Sequence, residues 1–140
     1  MEELQAAQLL VPELHGGRAE IDLIKRLSLA EHLILIAWHG KDIAGFKVGY
    51  ALNQDTFYTW LGGVVPGFRR KGVARLLATR QETWAQIKGF KYIRLKTRNC
   101  FPAMLQFAIG SGFQIIELDA RKLRKQNRII LEKELSNEQR

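Results

Sequence analysis

Residues 64–75 restrict the possible folds more than any other stretch of this sequence. They read Val-Val-Pro-Gly-Phe-Arg-Arg-Lys-Gly-Val-Ala-Arg, so an uncharged, strand-like run turns through a basic, glycine-containing loop into a segment with helical spacing. The backbone N–H groups of such a loop converge with the unpaired amides and the positive dipole end of the helix that follows. This arrangement predicts an anion site, and a phosphate-bearing ligand is the first hypothesis.

The basic residues of the chain are concentrated around this stretch. The formal net charge is +8, and between residues 69 and 98 ten basic residues stand against the single acid Glu82. The loop–helix junction lies within this window, which favours a ligand. A second basic cluster near the C-terminus is most simply interpreted as a solvated turn between two strands. Its members are Arg121, Lys122, Arg124, Lys125 and Arg128.

Composition narrows the class of protein. The chain has 140 residues, of which 46% are hydrophobic, and this length is typical of one domain, 1–140, with a substantial core. The longest apolar run, residues 33–38, is far shorter than the roughly 20 residues that span a bilayer. The N-terminus is acidic and polar, unlike a secretory signal. We therefore expect a soluble, cytoplasmic protein without a membrane partner.

The reactive side chains argue against a disulfide and a metal site. Cys100 is the only cysteine, which excludes an intrachain disulfide and a thiolate cluster. The three histidines show no metal-ligand spacing. Because the apolar residues Phe101 and Pro102 follow Cys100, we expect this thiol to be buried rather than nucleophilic.

The spacing of apolar residues predicts a mixed α/β chain. Helical periodicity and terminal signals indicate helices at about 3–10, 18–27, 73–88 and 102–109. Alternating or buried-type apolar runs indicate strands at about 33–38, 43–52, 56–65, 92–97, 113–118 and 128–135. Tight turns join the first three strands into an antiparallel meander, and the third helix connects the third and fourth strands as a parallel pair. A ligand at the start of that helix would lie at the carboxyl end of the third strand.

Two common phosphate-binding motifs do not fit the sequence. Gly67 and Gly72 have the spacing of a nucleoside-triphosphate loop, but Val73 and Ala74 follow where a lysine and a magnesium-binding hydroxyl are needed. A dinucleotide fingerprint fails as well, since the Gly-Ser-Gly at 110–112 lacks the third glycine and precedes a strand.

Arg69-x-x-Gly72-x-Ala74 resembles the Arg/Gln-x-x-Gly-x-Gly/Ala signature of the GNAT N-acetyltransferase superfamily. The strand before it, the helix after it and the later segment from Asn99 to a Gly-Phe pair are similar to their counterparts in that family, and the likeness covers about residues 33–135. It implies an α/β (α+β) fold, with a mixed, mostly antiparallel sheet of about six strands flanked by helices. It also implies acetyl-CoA as co-substrate, held where two adjacent parallel strands splay apart, and no metal.

The resemblance also assigns residues to the co-substrate. The backbone amides from Arg69 to Ala74 would hold the pyrophosphate, because small residues there let the backbone approach it. Arg70, Lys71 and Arg75 would make ionic contacts with the phosphates. The pantetheine arm would be contacted by the main chain of Val64 and Val65, at the end of the third strand. The side chain of Asn99, just past the fourth strand, would contact it as well. The full set is Val64, Val65, Arg69, Arg70, Lys71, Gly72, Val73, Ala74, Arg75 and Asn99.

The reaction implied by the resemblance is transfer of an acetyl group to a primary amine, by direct attack in a ternary complex. No tyrosine lies between Asn99 and Phe113, where many members of the family have the proton donor for the thiol. Residues 56–65 carry no carboxylate that could act as a base. Tyr58, as donor or binding group, and the Val65 backbone amide, as oxyanion donor, are the candidates, and the catalytic groups stay open.

Several alternatives stay open at this point. The acceptor can be a small molecule, a peptide N-terminus or a protein lysine. A GNAT-like fold that binds acyl-CoA as a non-catalytic sensor is one alternative, because of the missing tyrosine and carboxylate. The basic window suggests a nucleic-acid-binding module, but the absence of a recognisable reader motif disfavours it. Exposed strand edges near the C-terminus favour a homodimer.

Overall fold

The computed structural model of the chain describes residues 2–10 and 20–135. Its helices are α1 (Glu2–Leu9), α2 (Glu20–Leu27), α3 (Val73–Ile87) and α4 (Pro102–Gly110). Its strands are β1 (His32–His39), β2 (Asp42–Ala51), β3 (Thr56–Val64), β4 (Tyr92–Arg98), β5 (Gln114–Asp119) and β6 (Arg128–Glu134), with 3₁₀ turns at Pro66–Phe68 and Arg124–Gln126. Each predicted helix and strand is present within a few residues of its expected bounds. Arg18 and Ala19, expected to begin the second helix, lie outside the described residues.

A six-stranded sheet in the order β1-β2-β3-β4-β6-β5 forms the middle of the fold. β1, β2 and β3 pair antiparallel in sequence order, which confirms the meander, and β3 pairs with β4 in parallel, which confirms the connection through α3. β6 lies between β4 and β5 and is antiparallel to both. The expected mixed, mostly antiparallel sheet flanked by helices is therefore confirmed. None of the helices within the described ranges is long and apolar enough to cross a membrane.

The two faces of the sheet bury separate hydrophobic clusters. On the face covered by α1 and α2, here the α1/α2 face, the buried residues are Leu4, Ala7, Leu23, Leu27, Phe46 and Val48. On the opposite α3/α4 face they include Phe57, Ala85, Ile93, Leu95, Ala108, Ile129 and Leu131. Burying each large apolar side chain contributes roughly 1.5–3 kcal/mol. Phe46 and Val48 of β2 point to the α1/α2 face. Because side chains alternate along a strand, Lys47 between them in sequence points to the α3/α4 face.

Gly45 allows α3 to begin directly against β2. A Cβ atom added at this position would lie 2.8 Å from the carbonyl oxygen of Gly63 and 3.1 Å from Cγ1 of Val73. A larger residue would push the first turn of α3 away from the sheet. The glycine thereby keeps the N-terminus of α3 close to the end of β3, where the sequence predicted an anion site.

Cys100 is exposed, so the prediction that it is buried is wrong. Its apolar neighbours do not enclose it, because the turn between β4 and α4 runs along the surface and leaves Phe101 42% exposed. Within residues 2–10 and 20–135, no three His, Cys, Asp or Glu side chains are grouped so that they could hold a metal ion.

Candidate functional site

β3 and β4 separate after a short parallel contact. Only residues 56–58 of β3 pair with β4, opposite residues 92–94, although β3 continues to Val64 and β4 to Arg98. The remaining strand edges diverge, and we call the space between them the β3/β4 gap. Backbone groups along such edges can pair with an extended ligand.

A β-bulge in β3 explains why the strands separate. Val48 of β2 lies opposite Leu61, whereas the next residue, Gly49, lies opposite Thr59, so Trp60 is an additional residue in β3. A bulge bends its strand and increases the local twist. Trp60 and Leu61 both pack against the cluster on the α1/α2 face, and this burial holds the bend in place.

The pairing of β3 with β2 determines which backbone groups face the gap. The Val65 amide donates a hydrogen bond of 2.8 Å to the carbonyl oxygen of Ala44, so it points toward β2. Since successive residues direct their N–H and C=O groups to opposite sides of a strand, those of Gly62 and Val64 face the gap. Nε of Arg69 donates to the Val64 carbonyl oxygen at 3.0 Å. The oxyanion role expected for the Val65 amide does not fit this geometry, because its hydrogen is used within the sheet.

The loop after β3 has the backbone conformation of an anion-binding nest. Arg70 and Gly72 have positive φ angles of 64° and 84°, and left-handed residues in such a loop turn neighbouring N–H groups toward one point. Gly72 is the N-cap of α3 and provides no side-chain cap. The first helical hydrogen bond runs from the Leu76 amide to the Gly72 carbonyl oxygen, at 3.0 Å. The amides of Val73 and Ala74 therefore belong to the helix turn that has no helical acceptors.

Cationic side chains and open space surround these amides. Arg69, Arg70, Lys71 and Arg75 are all exposed at the surface. A Cβ atom added at Gly72 would meet no protein atom within 4 Å, so a ligand can reach the backbone there. The unpaired amides, the helix dipole and the cations together fit a pyrophosphate.

Asn99 lies just past β4 and anchors another loop. Its Nδ2 donates a hydrogen bond of 2.9 Å to the carbonyl oxygen of Arg124, and its backbone amide donates to the carbonyl oxygen of Asn127 at 3.2 Å. Asn99 thus lies at the end of β4, and the Nδ2 group of its side chain binds the β5–β6 connection. The contact with pantetheine that the resemblance implies stays a prediction.

A second opening lies on the α1/α2 face, and we call it the lateral cleft. Its volume is about 260 Å³. The strand register brings its polar side chains together from five strands, since Tyr50 lies opposite Tyr58 and Tyr58 is level with Arg94. The lining residues are Tyr50, Leu52, Tyr58, Arg94, Lys96, Glu117, Asp119, Arg128 and Ile130.

Tyr58 connects the lateral cleft with the β3/β4 gap. It is the last residue of β3 that pairs with β4, and Nζ of Lys96 lies 5.4 Å from its ring centroid. The sequence-based candidate Tyr58 is therefore at the apex of the gap. Glu117 and Asp119 were missed, because β5 joins the sheet only through β6. The two carboxylates are two residues apart, which predicts that they share one face of a strand. This spacing does not predict which strand lies next to theirs.

A polar cluster, in which Gln81 is buried and Lys47, Glu82 and Lys133 are half-buried, lies beneath the sheet on the α3/α4 face. Burial lowers the pKa of Lys47 to about 8, and the nearby Glu82 carboxylate partly opposes this shift. Glu82 also accepts a hydrogen bond of 2.8 Å from Nζ of Lys133. The amide group of Gln81 is buried and has no hydrogen-bond partner in the part of the chain that the structure describes. A cavity of about 20 Å³ borders Lys47, Thr59 and Gln81, enough for one water molecule.

Comparisons with known proteins agree with this geometry. The family model described as the acetyltransferase (GNAT) family matches residues 1–113. No curated protein shows significant similarity to the chain.

Solved structures share the fold at low sequence identity. A GNAT family acetyltransferase from Elizabethkingia anophelis with acetyl-CoA bound has a TM-score of 0.75 and 19% identity, over 94% of this chain and 90% of its own. A Bacillus subtilis acetyltransferase in complex with CoA has a TM-score of 0.77 and 19% identity, over 97% and 93%. The ribosomal-protein-S18-alanine N-acetyltransferase from Escherichia coli has a TM-score of 0.76 and 16% identity, over 88% and 81%. The fold is thus shared with these proteins and, because the family model spans most of the sequence, the chain belongs to the GNAT acetyltransferase family.

Proposed function

We propose that this protein transfers an acetyl group from acetyl-CoA to a primary amine, by direct attack in a ternary complex. The observation that carries the proposal is the β3/β4 gap, which ends beside the basic N-terminus of α3. An extended ligand with a pyrophosphate fits this combination better than a compact anion does, because the strand edges can pair with an amide-containing chain. Bound acetyl-CoA would supply an activated acyl thioester.

The loop after β3 binds the pyrophosphate of the co-substrate. The backbone amides from Arg70 to Ala74 bind the pyrophosphate, whereas the Arg69 amide donates to the carbonyl oxygen of Pro66 at 3.3 Å. Arg70, Lys71 and Arg75 add charge-assisted hydrogen bonds to the phosphates. These side chains are exposed, so salt screens their contribution. The backbone nest supplies the part of the interaction that does not depend on flexible side chains.

Backbone groups of β3 hold the pantetheine arm and the thioester. The Val64 amide pairs with the arm near the loop, and Asn99 contacts it from the β4 side. The Gly62 amide faces the gap close to the bulge, and we assign to it the oxyanion role in place of the Val65 amide. A single well-placed oxyanion donor contributes about 10²–10³ in rate.

The amine reaches the thioester through the lateral cleft. Glu117 and Asp119 line this cleft together with Arg94, Lys96 and Arg128. The Asp119 carboxylate is paired with Arg121 at 2.8 Å, so Glu117 is the carboxylate that attracts the protonated amine. It can accept the proton through water before the neutral amine attacks. Tyr58 at the apex contacts the reacting groups, as a binding group or as the donor of a proton to the leaving thiolate.

Calorimetry and a turnover assay together test the proposal. We expect the wild-type protein to bind acetyl-CoA and to release free CoA thiol when amines are added from a panel of small molecules, peptides and lysine-containing proteins. Tight binding with only background hydrolysis across the panel would instead support the non-catalytic sensor. No binding of acetyl-CoA would contradict both functions.

A single domain over residues 1–140, a cytoplasmic location and a homodimer stay predictions from the sequence. The edge strand β5 exposes Ile115, Ile116 and Leu118, which supports pairing of two copies through this edge. Light scattering at several protein concentrations tests the dimer.

A further inference from the structure

The connection between β5 and β6, here the basic loop (residues 120–127), carries strong uncompensated positive charge. It contains four exposed cations and no acid. Arg121 pairs with the Asp119 carboxylate at 2.8 Å. Lys122, Arg124 and Lys125 have no carboxylate of the described residues within salt-bridge distance. Such a concentration of like charge destabilises the free protein slightly, so a partner that neutralises it gains affinity.

Hydrogen bonds hold the basic loop in one conformation. Oδ1 of Asn127 accepts a bond of 2.6 Å from the Arg121 amide, and Nδ2 of Asn99 donates to the Arg124 carbonyl oxygen. The Cys100 amide donates to the carbonyl oxygen of Lys125 at 2.9 Å. The backbone that carries the cations is thus ordered before any partner binds, which lowers the entropic cost of binding.

The basic loop adjoins the lateral cleft. Asp119 and Arg128, the residues on either side of the loop, both line the cleft. Nη1 of Arg98 on β4 donates to Oε1 of Gln126 at 3.3 Å, which extends the positive surface toward the end of β4. The cleft holds charges of both signs, since Arg94, Lys96 and Arg128 line it beside Glu117 and Asp119, whereas the loop at its rim is purely cationic. Together they fit a molecule whose amine is followed by anionic groups.

These features favour an acidic peptide over a nucleic acid. A continuous phosphate backbone would run along a cleft of mixed charge, where Glu117 and Asp119 lie among Arg94, Lys96 and Arg128. The loop offers Leu123, which is 59% exposed, and no aromatic side chain on which a base could stack. A peptide with a free α-amine and acidic side chains at the next positions satisfies both parts of the surface.

We propose that the acetyl acceptor is the N-terminus of an acidic peptide, whose α-amine enters the lateral cleft while its following carboxylates bind the basic loop. This inference rests on the proposed acetyl transfer and adds the class of acceptor to it. Electrostatic attraction of this kind raises the rate of association most, and salt weakens it.

Two peptides of equal length and identical N-terminal residue test the inference, one with glutamates and the other with glutamines at positions 2–4. We expect kcat/KM with acetyl-CoA to be at least tenfold higher for the glutamate peptide at low salt, with the difference shrinking at high salt. The double variant Lys122→Glu, Arg124→Glu should abolish this preference. The double variant Arg80→Glu, Lys91→Glu, at two exposed positions outside the basic loop, changes the net charge by the same amount and should retain the preference.

A binding measurement separates this inference from the proposed reaction. Fluorescence anisotropy of the labelled glutamate peptide, with a free α-amine and with CoA present, reports docking without turnover. Charge-dependent binding without acetylation would contradict the reaction but support the surface. Equal kcat/KM for both peptides in wild type and variants would overturn the inference while leaving acetyl transfer intact. Tighter binding of a single-stranded RNA oligonucleotide, lost in the double variant, would overturn it in favour of a nucleic acid.

Discussion

The side-chain amide of Asn99 donates a hydrogen bond of 2.9 Å to the carbonyl oxygen of Arg124 and so couples the end of β4 to the basic loop. The backbone amide of the same residue bonds to Asn127 at the other end of that loop. One residue therefore adjoins the β3/β4 gap and also orders the surface to which we assign the acceptor. Changes in this residue should affect acceptor recognition through the loop.

We expect Asn99→Ala to destabilise the basic loop, because the Arg124 carbonyl oxygen loses its donor. The free energy of unfolding should fall by about 0.5–1.5 kcal/mol, and kcat/KM should fall more for the glutamate peptide than for the glutamine peptide. Asn53→Ala is the matched control, since Oδ1 of Asn53 accepts bonds from the Asp55 and Thr56 amides in the β2–β3 turn and none from the basic loop. Equal losses for both peptides in Asn99→Ala would contradict the coupling.

Gly72→Asp should abolish measurable acetyl-CoA binding and leave the fold largely intact. The new carboxylate would occupy the open space beside the nest, where it repels the pyrophosphate. The positive φ of 84° adds backbone strain of roughly 1–2 kcal/mol for a residue with a side chain. Gly89→Asp is the control for that strain, since Gly89 has a φ of 97° and equally open surroundings at the other end of α3. Wild-type affinity of Gly72→Asp in calorimetry would show that the site is elsewhere.

Arg70→Ala and Lys71→Ala should weaken binding of CoA more than binding of pantetheine, which lacks the phosphate groups. Each exposed cation contributes about 0.2–1 kcal/mol, so we expect a loss of about 1.4- to fivefold per substitution at low salt, and less at high salt. Calorimetry with both ligands measures the difference. If both ligands lose affinity equally, these side chains act through the fold instead of through the phosphates.

Lys47→Met should stabilise the protein at neutral pH. The pKa of Lys47 is about 8 in the folded state against 10.5 unfolded, so burying the ammonium costs on the order of 3 kcal/mol below pH 8. This cost disappears as the pH rises from 8 to above 10.5, and Glu82 keeps its partner Lys133 in the variant.

Urea unfolding at pH 7 and pH 10 measures this effect. From pH 7 to pH 10 the free energy of unfolding of wild type should rise relative to that of Lys47→Met. In this range Lys47 binds more protons in the unfolded state than in the folded state. A variant that is less stable than wild type at pH 7 would show that attraction between Lys47 and Glu82 outweighs the cost of burial.

Much of the fold was predictable because its signals are local. Apolar spacing identified each helix and strand, and the position of Gly72 before Val73 marked the start of α3 at the end of β3. The anion nest needs only the φ angles of Arg70 and Gly72 and the first turn of one helix. These depend on residues adjacent in sequence, so the sequence predicted the location of this part of the site.

The sequence by itself determined the elements, their mixed topology and the loop that favours a pyrophosphate. The tertiary structure decided which backbone amides face the β3/β4 gap, because the pairing of β3 with β2 turns Val65 toward Ala44 and leaves Gly62 and Val64 on the other side. It also brought Glu117 and Tyr58 to the same cleft, across two intervening strands. These relationships depend on register between segments that are distant along the chain, and local spacing does not determine register between such segments.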